Sequence, residues 1–329
     1  MGMKKFVGIA TLTAALLGAG GAQAADPIRI GAMPVGSGWY VAAAAIEQVL
    51  KPELGGTAIE VIARGGGVAN PMVVEQGKAE IALSNVATSV WAMNGGELYN
   101  GKKATHIRSL IGGLNSVYMA MLVRNDFIKS TGLDTMDKIF TSGKPLRIVM
   151  KPQGSNVPPT VDMILAAYGL DRAKIKANGG EIIQVNPEQT PSILREGRAD
   201  ILLDTVLKGH PMITEVALTA DVRFVDLSEK ARAKLGENGV KPAQFPEWFK
   251  GQSGPTWGAD FGTHLIARDD LPDDVAYKIV KTFMDKRADL VKAYPAFGSF
   301  DPKQAAKPEN LGIPLHPGAA KYYKEQGLM

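Results

Sequence analysis

Two Gly–Ser pairs recur in this chain, Gly36-Ser37 and Gly154-Ser155, 118 residues apart. Each follows a proline and a short apolar run, and each leads into apolar residues at helical spacing. A glycine turn that opens a helix leaves backbone N–H groups unpaired at the positive end of the helix dipole. Such a turn can hold an anion without a basic side chain, and the serine hydroxyl adds a donor. The candidate ligand contacts are therefore Gly36, Ser37, Gly38, Trp39 and Tyr40 at the first pair, and Ser155, Asn156 and Val157 at the second. Asn70, Ser84, Asn85 and Asp204 join them, because each stands where a loop or strand end gives way to a following helix or loop. The same small polar residues also serve as plain helix caps, so both roles stay open there. For Asp204 the ligand role would be to receive an amino group. Arg64, which could neutralise a carboxylate, is a rival anchor.

Catalytic chemistry finds little support. The four histidines (106, 210, 264, 316) are scattered without metal-ligand spacing, there is no cysteine, and no GxSxG elbow occurs. The loop GAMPVGS has Walker-like spacing but lacks the lysine. A serine without a candidate base is not a nucleophile. The expectation is capture without chemistry, with no metal and no cofactor.

The elements that must position these residues alternate in type. Ile28–Leu50 reads as strand, glycine turn and helix, with Ser37 as the natural cap. Thr57–Ala63 is a strand, three glycines lead to a helix closed by Gly77, and Ala79–Leu83 is the next strand. A βαβαβα order implies a sheet with covering helices and a ligand site beyond the carboxyl ends of its strands. Val117–Val123 is almost wholly apolar, as a strand covered on both faces would be. Later segments read as a helix over Gly209–Leu218, an irregular aromatic stretch over Phe245–Gly258, a strand over Phe261–Ala267 and a long helix over Leu271–Tyr294.

The plan then repeats. Arg29-Ile30 leads to Pro34 and Gly36-Ser37 just as Arg147-Ile148 leads to Pro152 and Gly154-Ser155. VVEQGKAEIAL (73–83) is mirrored by ILREGRADILL (193–203) at an offset of 120. This implies two α/β lobes, each a mixed, mostly parallel sheet flanked by helices. Lobe one is expected over residues 25–122 plus 261–329 and lobe two over 123–260. Val117–Val123 and Phe261–Ala267 are then the crossing strands.

Lys4 and Lys5, the apolar run Phe6–Gly20 and Ala22-Gln23-Ala24 form the pattern of a cleavable signal peptide over residues 1–24. Its removal takes two lysines and no acid, lowering the formal charge from +4 to +2. That leaves no electrostatic footprint for nucleic acid. A mature chain from about Ala25, with no cysteine for a lipid anchor, is expected free in the periplasm.

Taken together, these motifs resemble the TAXI family of solute receptors for TRAP transporters. The resemblance rests on the glycine loop ending in Trp39-Tyr40, and on GGGVAN, QGKAEIALSNVA, QGSNV, EGRADILL, GHPMITEVA and DLPDDVAYKIV. The C-terminal PLHPGAAKYY is its most specific piece, and the first loop departs from the family at Met33, Pro34 and Trp39. The resemblance implies a type II periplasmic binding protein fold that closes over a small organic acid or amino acid. Dicarboxylates such as glutamate or 2-oxoglutarate come first among its ligands. It also implies delivery to the integral membrane subunits of a TRAP permease and a site at the loops already named, while His316 is assigned to folding. An ABC importer or a sensor kinase is the alternative partner, and an enzyme on the same fold the alternative class.

Overall fold

A computed structural model describes residues 1–2 and 27–329. The expected signal peptide thus lies, beyond its first two residues, outside the described ones. Among the described residues, twelve strands form two sheets. The first joins β1 (Ile28–Gly31), β2 (Ile59–Ile62), β3 (Ile81–Asn85), β4 (Ile107–Asn115) and β12 (Thr263–Arg268) in the order β2-β1-β3-β12-β4. The second comprises β5 (Tyr118–Arg124), β6 (Arg147–Met150), β7 (Glu181–Gln184), β8 (Ile201–Val206), β9 (Val222–Val225), β10 (Lys241–Phe245) and β11 (Thr256–Asp260). Its order is β10-β11-β5-β8-β6-β7, with β9 also on β5.

The repeat seen in the sequence is a repeat of neighbours in space. β1 pairs in parallel with β2 and β3, and β6 pairs in parallel with β7 and β8. An antiparallel strand then borders each trio, β12 beside β3 and β5 beside β8. Even the polar edge is reproduced. Arg29 on β1 holds Glu80 just before β3, and Arg147 on β6 holds Asp200 just before β8.

β5 explains its apolar composition. Met119, Met121 and Val123 pack into one core and Ala120 and Leu122 into another, so each face of the strand is covered. This strand lies wholly in the second sheet. The chain leaves the first sheet at Ser116-Val117, ahead of the strand and not within it. It returns at Phe261-Gly262, where the two passages run side by side. The Asp260 carboxylate accepts from Val117 N–H and Gly262 N–H, both at 2.9 Å, and Phe261 N–H donates to Val117 O at 3.0 Å. Within the stretch read as irregular, Thr256–Asp260 is strand β11, held by antiparallel pairing to β10. The expected single helix over 271–294 is two, Asp273–Asp285 and Arg287–Ala293, interrupted at Lys286.

The C-terminal motif closes lobe one. His316 is buried, its Nδ1 accepts from Gly318 N–H at 3.2 Å, and its own N–H donates to Ser109 O. Gly318 approaches the Asp273 carbonyl so closely that a Cβ has no room. Ser84, Ser89 and His264 form a buried chain across β3, the following helix and β12, with Oγ···Oγ 2.7 Å and Oγ···Nε2 2.8 Å.

Burial pushes the His264 pKa down to about 3. The unfolded chain protonates this ring near the ordinary histidine value, whereas the folded chain keeps it neutral to about 3. Between those limits the unfolded state binds the extra proton, so stability should fall on acidification by up to about 1.4 kcal/mol per pH unit from this group. Urea denaturation of wild type and His264→Asn between pH 7 and pH 4 checks this. An unchanged slope in the variant would remove His264 as the cause.

Candidate functional site

The carboxyl ends of β1, β3, β6 and β8 face one another across the two lobes. A narrow cleft there is lined by Ser37, Gly38, Trp39 and Asn85 from lobe one and by Lys151, Asn156, Thr205 and His210 from lobe two. Met33, Val117 and Leu207 supply its apolar wall. The lobes are shut, and the enclosed space is about 10 Å³, room for roughly one water molecule.

Four hydrogen bonds among the described residues hold this closure. Asn156 Nδ2 donates to Asn85 Oδ1 across the cleft at 2.9 Å. Val68 and Ala69 N–H donate to Gly154 O at 3.2 and 3.0 Å. Beyond the cleft, Trp91 of lobe one packs on the lobe-two core and donates to Asn238 O at 2.9 Å. Two glycines permit the approach. A Cβ on Gly66 (φ +145°) would lie 2.9 Å from both Gly154 O and Ser155 Cα, and one on Gly38 would lie 3.1 Å from Leu207 Cδ2 of lobe two.

The two Gly–Ser loops do different work. Ser37 caps the helix Gly38–Glu53 through Tyr40 N–H at 3.2 Å and is buried at the cleft. The first two N–H groups of that helix, on Gly38 and Trp39, have no acceptor among the described residues, so an anion can take them. The second loop offers less at the cleft, one N–H without an acceptor among the described residues, on Asn156. Its helix Val157–Ala167 carries Pro158 and Pro159 in the first turn, which have no N–H, and Ser155 Oγ already lies 3.4 Å from Val157 N. Ser155 donates to Pro152 O and does not line the cleft. The two loops expected from sequence as a pair are therefore unequal in the donors they present.

Lobe two offers a lysine in its place. Lys151 follows β6, only 2% exposed, with Nζ 2.5 Å from Asp204 Oδ1 and 2.8 Å from Thr205 Oγ1. Burial raises the Asp204 carboxyl above its ordinary range, opposed by the Lys151 ammonium and the Thr205 N–H. Asp204 Oδ2 and Trp39 Nε1 are buried without a hydrogen-bond partner among the described residues. His210 caps the helix Pro211–Thr219, accepting from Ile213 N–H on Nδ1. Burial and the nearby Lys151 charge drive its pKa well below the ordinary value, so the ring is neutral and carries its proton on Nε2.

Of the residues singled out from sequence, Ser37, Gly38, Trp39, Asn85 and Asn156 meet at the cleft, with Asp204 one layer behind Lys151. Asn70 is used inside lobe one, accepting from Gly66 N–H and donating to Ala32 O and Leu83 O. It shapes the glycine loop, and both its side-chain hydrogens are taken. Ser84 belongs to the His264 chain, Val157 to the lobe-two core, and Gly36 and Tyr40 flank the cleft without lining it. Arg64 is exposed. Lys151, His210 and Thr205 complete the site. One signal pointed to Lys151: it matches Met33 in the repeat, a charge where the other lobe has an apolar residue.

The sequence pattern of the NMT1-like family matches residues 30–327. This chain belongs to the NMT1-like family. Its fold is shared with MatC from Rhodopseudomonas palustris with bound malate, at TM-score 0.56 and 13% identity over 92% of this chain and 99% of that one. It is also shared with the binding protein component of an ABC phosphonate transporter from Pseudomonas aeruginosa, at TM-score 0.54 and 14% identity over 82% and 78%. This NMT1-like chain thus has the mixed α/β, two-lobed architecture of periplasmic binding proteins.

The glycine contacts generate a test. Gly66→Ala should hold the lobes apart, so its radius of gyration by small-angle X-ray scattering should exceed that of wild type. Equal radii would mean that the 2.9 Å approach is not limiting.

Proposed function

We propose that this chain is an exported solute receptor, a binding protein and not an enzyme, that closes its lobes over a small organic acid. The observation that carries the reading is the donor set at the closed cleft: a buried lysine, an open helix N-terminus and an indole N–H without a partner. Donors converging from two lobes suit an oxyanion, and a site divided between lobes makes binding and closure one event. The malate of MatC, on the same fold, supports an organic acid as the ligand class. The resemblance to TAXI receptors adds dicarboxylates, glutamate and 2-oxoglutarate first, to the panel to be tested. The signal-peptide pattern of residues 1–24 supports a periplasmic location.

The proposed partner is a TRAP permease, on the strength of the motifs from GGGVAN to PLHPGAAKYY. An ABC importer is the second reading, favoured by the phosphonate-transporter component among the similar folds. Deleting the TRAP membrane subunits should abolish uptake of the ligand while leaving binding in periplasmic extract intact. Uptake that survives this deletion and stops on loss of an ABC permease would favour the second reading.

Binding itself is tested by calorimetric titration of wild type, Ser37→Ala and Trp39→Phe with organic acids. Each variant removes one donor, and circular dichroism checks the fold, since Ser37→Ala also removes the cap on Tyr40 N–H. A hydrogen bond to a charged group contributes about 1.5–3 kcal/mol, so each should weaken affinity by roughly tenfold to a hundredfold. Wild-type affinity in both variants would put the ligand elsewhere.

A further inference from the structure

Among the described residues the cleft has one fixed cation, and that cation already has its anion. Lys151 lines it, but its charge is already met by Asp204 at 2.5 Å, with both side chains almost wholly buried. No aspartate or glutamate is among the residues lining the cleft, and Glu188, beside Gly36 at the rim, is exposed to solvent. His210 is neutral there. The lining therefore starts electrically balanced, with a surplus of donors and only the partial positive charge of a helix start to spare.

Resting on the receptor reading above, we propose that the cleft selects small monocarboxylates that lack an amino group, and that the Lys151–Asp204 pair sets this rule. One carboxylate is matched by the Ser37 hydroxyl, the open N–H groups of Gly38 and Trp39, the Trp39 indole N–H and the remaining Lys151 hydrogen. A second carboxylate finds no further cation, and an uncompensated charge in a closed site is strongly unfavourable. An ammonium meets Lys151 at close quarters, while the carboxylate it needs is held by that same lysine. Met33, Val117 and Leu207 provide the apolar side against which a short carbon chain can rest. The shut cleft holds about one water, so the lobes must part to seat an acid, and least for a small one. Glutamate and 2-oxoglutarate accordingly fall behind pyruvate or butyrate.

The test is calorimetric titration of the mature protein with matched probes, pyruvate against alanine and butyrate against succinate, with 2-oxoglutarate and glutamate beside them. The monocarboxylates should bind tighter than their partners by about tenfold or more, since succinate adds a carboxylate with no cation to meet it and alanine an ammonium beside Lys151. In Asp204→Asn the lysine loses its partner, so succinate should gain on butyrate. Alanine or the dicarboxylates matching the monocarboxylates in wild type would overturn the inference while leaving the receptor reading in place. An unchanged ranking in a folded Asp204→Asn would remove the pair as its cause. If the variant does not fold, the wild-type ranking alone decides. Binding by none of these acids would bring down the receptor reading and this inference with it.

Discussion

The ion pair between Lys151 and Asp204 is the constraint to which the centre of the molecule answers. Taking two charges out of water is costly unless they meet at close range with their remaining bonds satisfied. The carboxyl ends of β6 and β8, paired in parallel, place the two residues side by side. Thr205 then supports both partners, its hydroxyl accepting from Lys151 and its N–H donating to Asp204. One oxygen of Asp204 stays unpartnered, so the pair is balanced in charge but incomplete in hydrogen bonds. That incompleteness lies directly behind the surface where the lobes meet.

Closure brings the rest of the cleft to this pair. It depends on backbone meeting backbone, which only glycine allows at Gly66, and on a hinge that lets two lobes move as units. The hinge is narrow because the two passages between sheets are adjacent and share one carboxylate, that of Asp260. Two strands side by side resist twist but permit bending, and hinge closure over a ligand is the motion such a connection supports. The Trp91–Asn238 contact lies away from the cleft and joins helices of opposite lobes, so the closed state is held at its margin as well as its centre.

The two lobes share a plan but not a chemistry. Strand order, parallel pairing and the Arg–acid edge recur, because these stabilise a sheet wherever it is built. The loops that follow are freed from that demand and have diverged. Met33 corresponds to Lys151 in the repeat, and the open helix start at Gly38 corresponds to one blocked by Pro158 and Pro159. One lobe thus contributes backbone dipoles and the other a side-chain charge.

The sequence by itself determined the class of fold, the two-lobe repeat, the buried character of β5 and the strand ends that meet at the cleft. Those features are local: apolar periodicity, glycine caps and a motif recurring at a fixed offset can be read without knowing what touches what. Ser37, Gly38, Trp39, Asn85 and Asn156, which meet at the cleft, were among the residues singled out from sequence. The sequence could not separate them from Asn70, Ser84 and Ser155, since a small polar residue beside a helix start looks alike whether it faces a cleft, a neighbouring loop or its own turn. That distinction depends on partners far along the chain, such as Ala32 for Asn70 and His264 for the Ser84 chain. Lys151 was hidden for the same reason. A lysine is ordinarily solvated, and only the packing of β6 against β8, with lobe one closing above, buries it beside an aspartate and makes its charge the centre of the site.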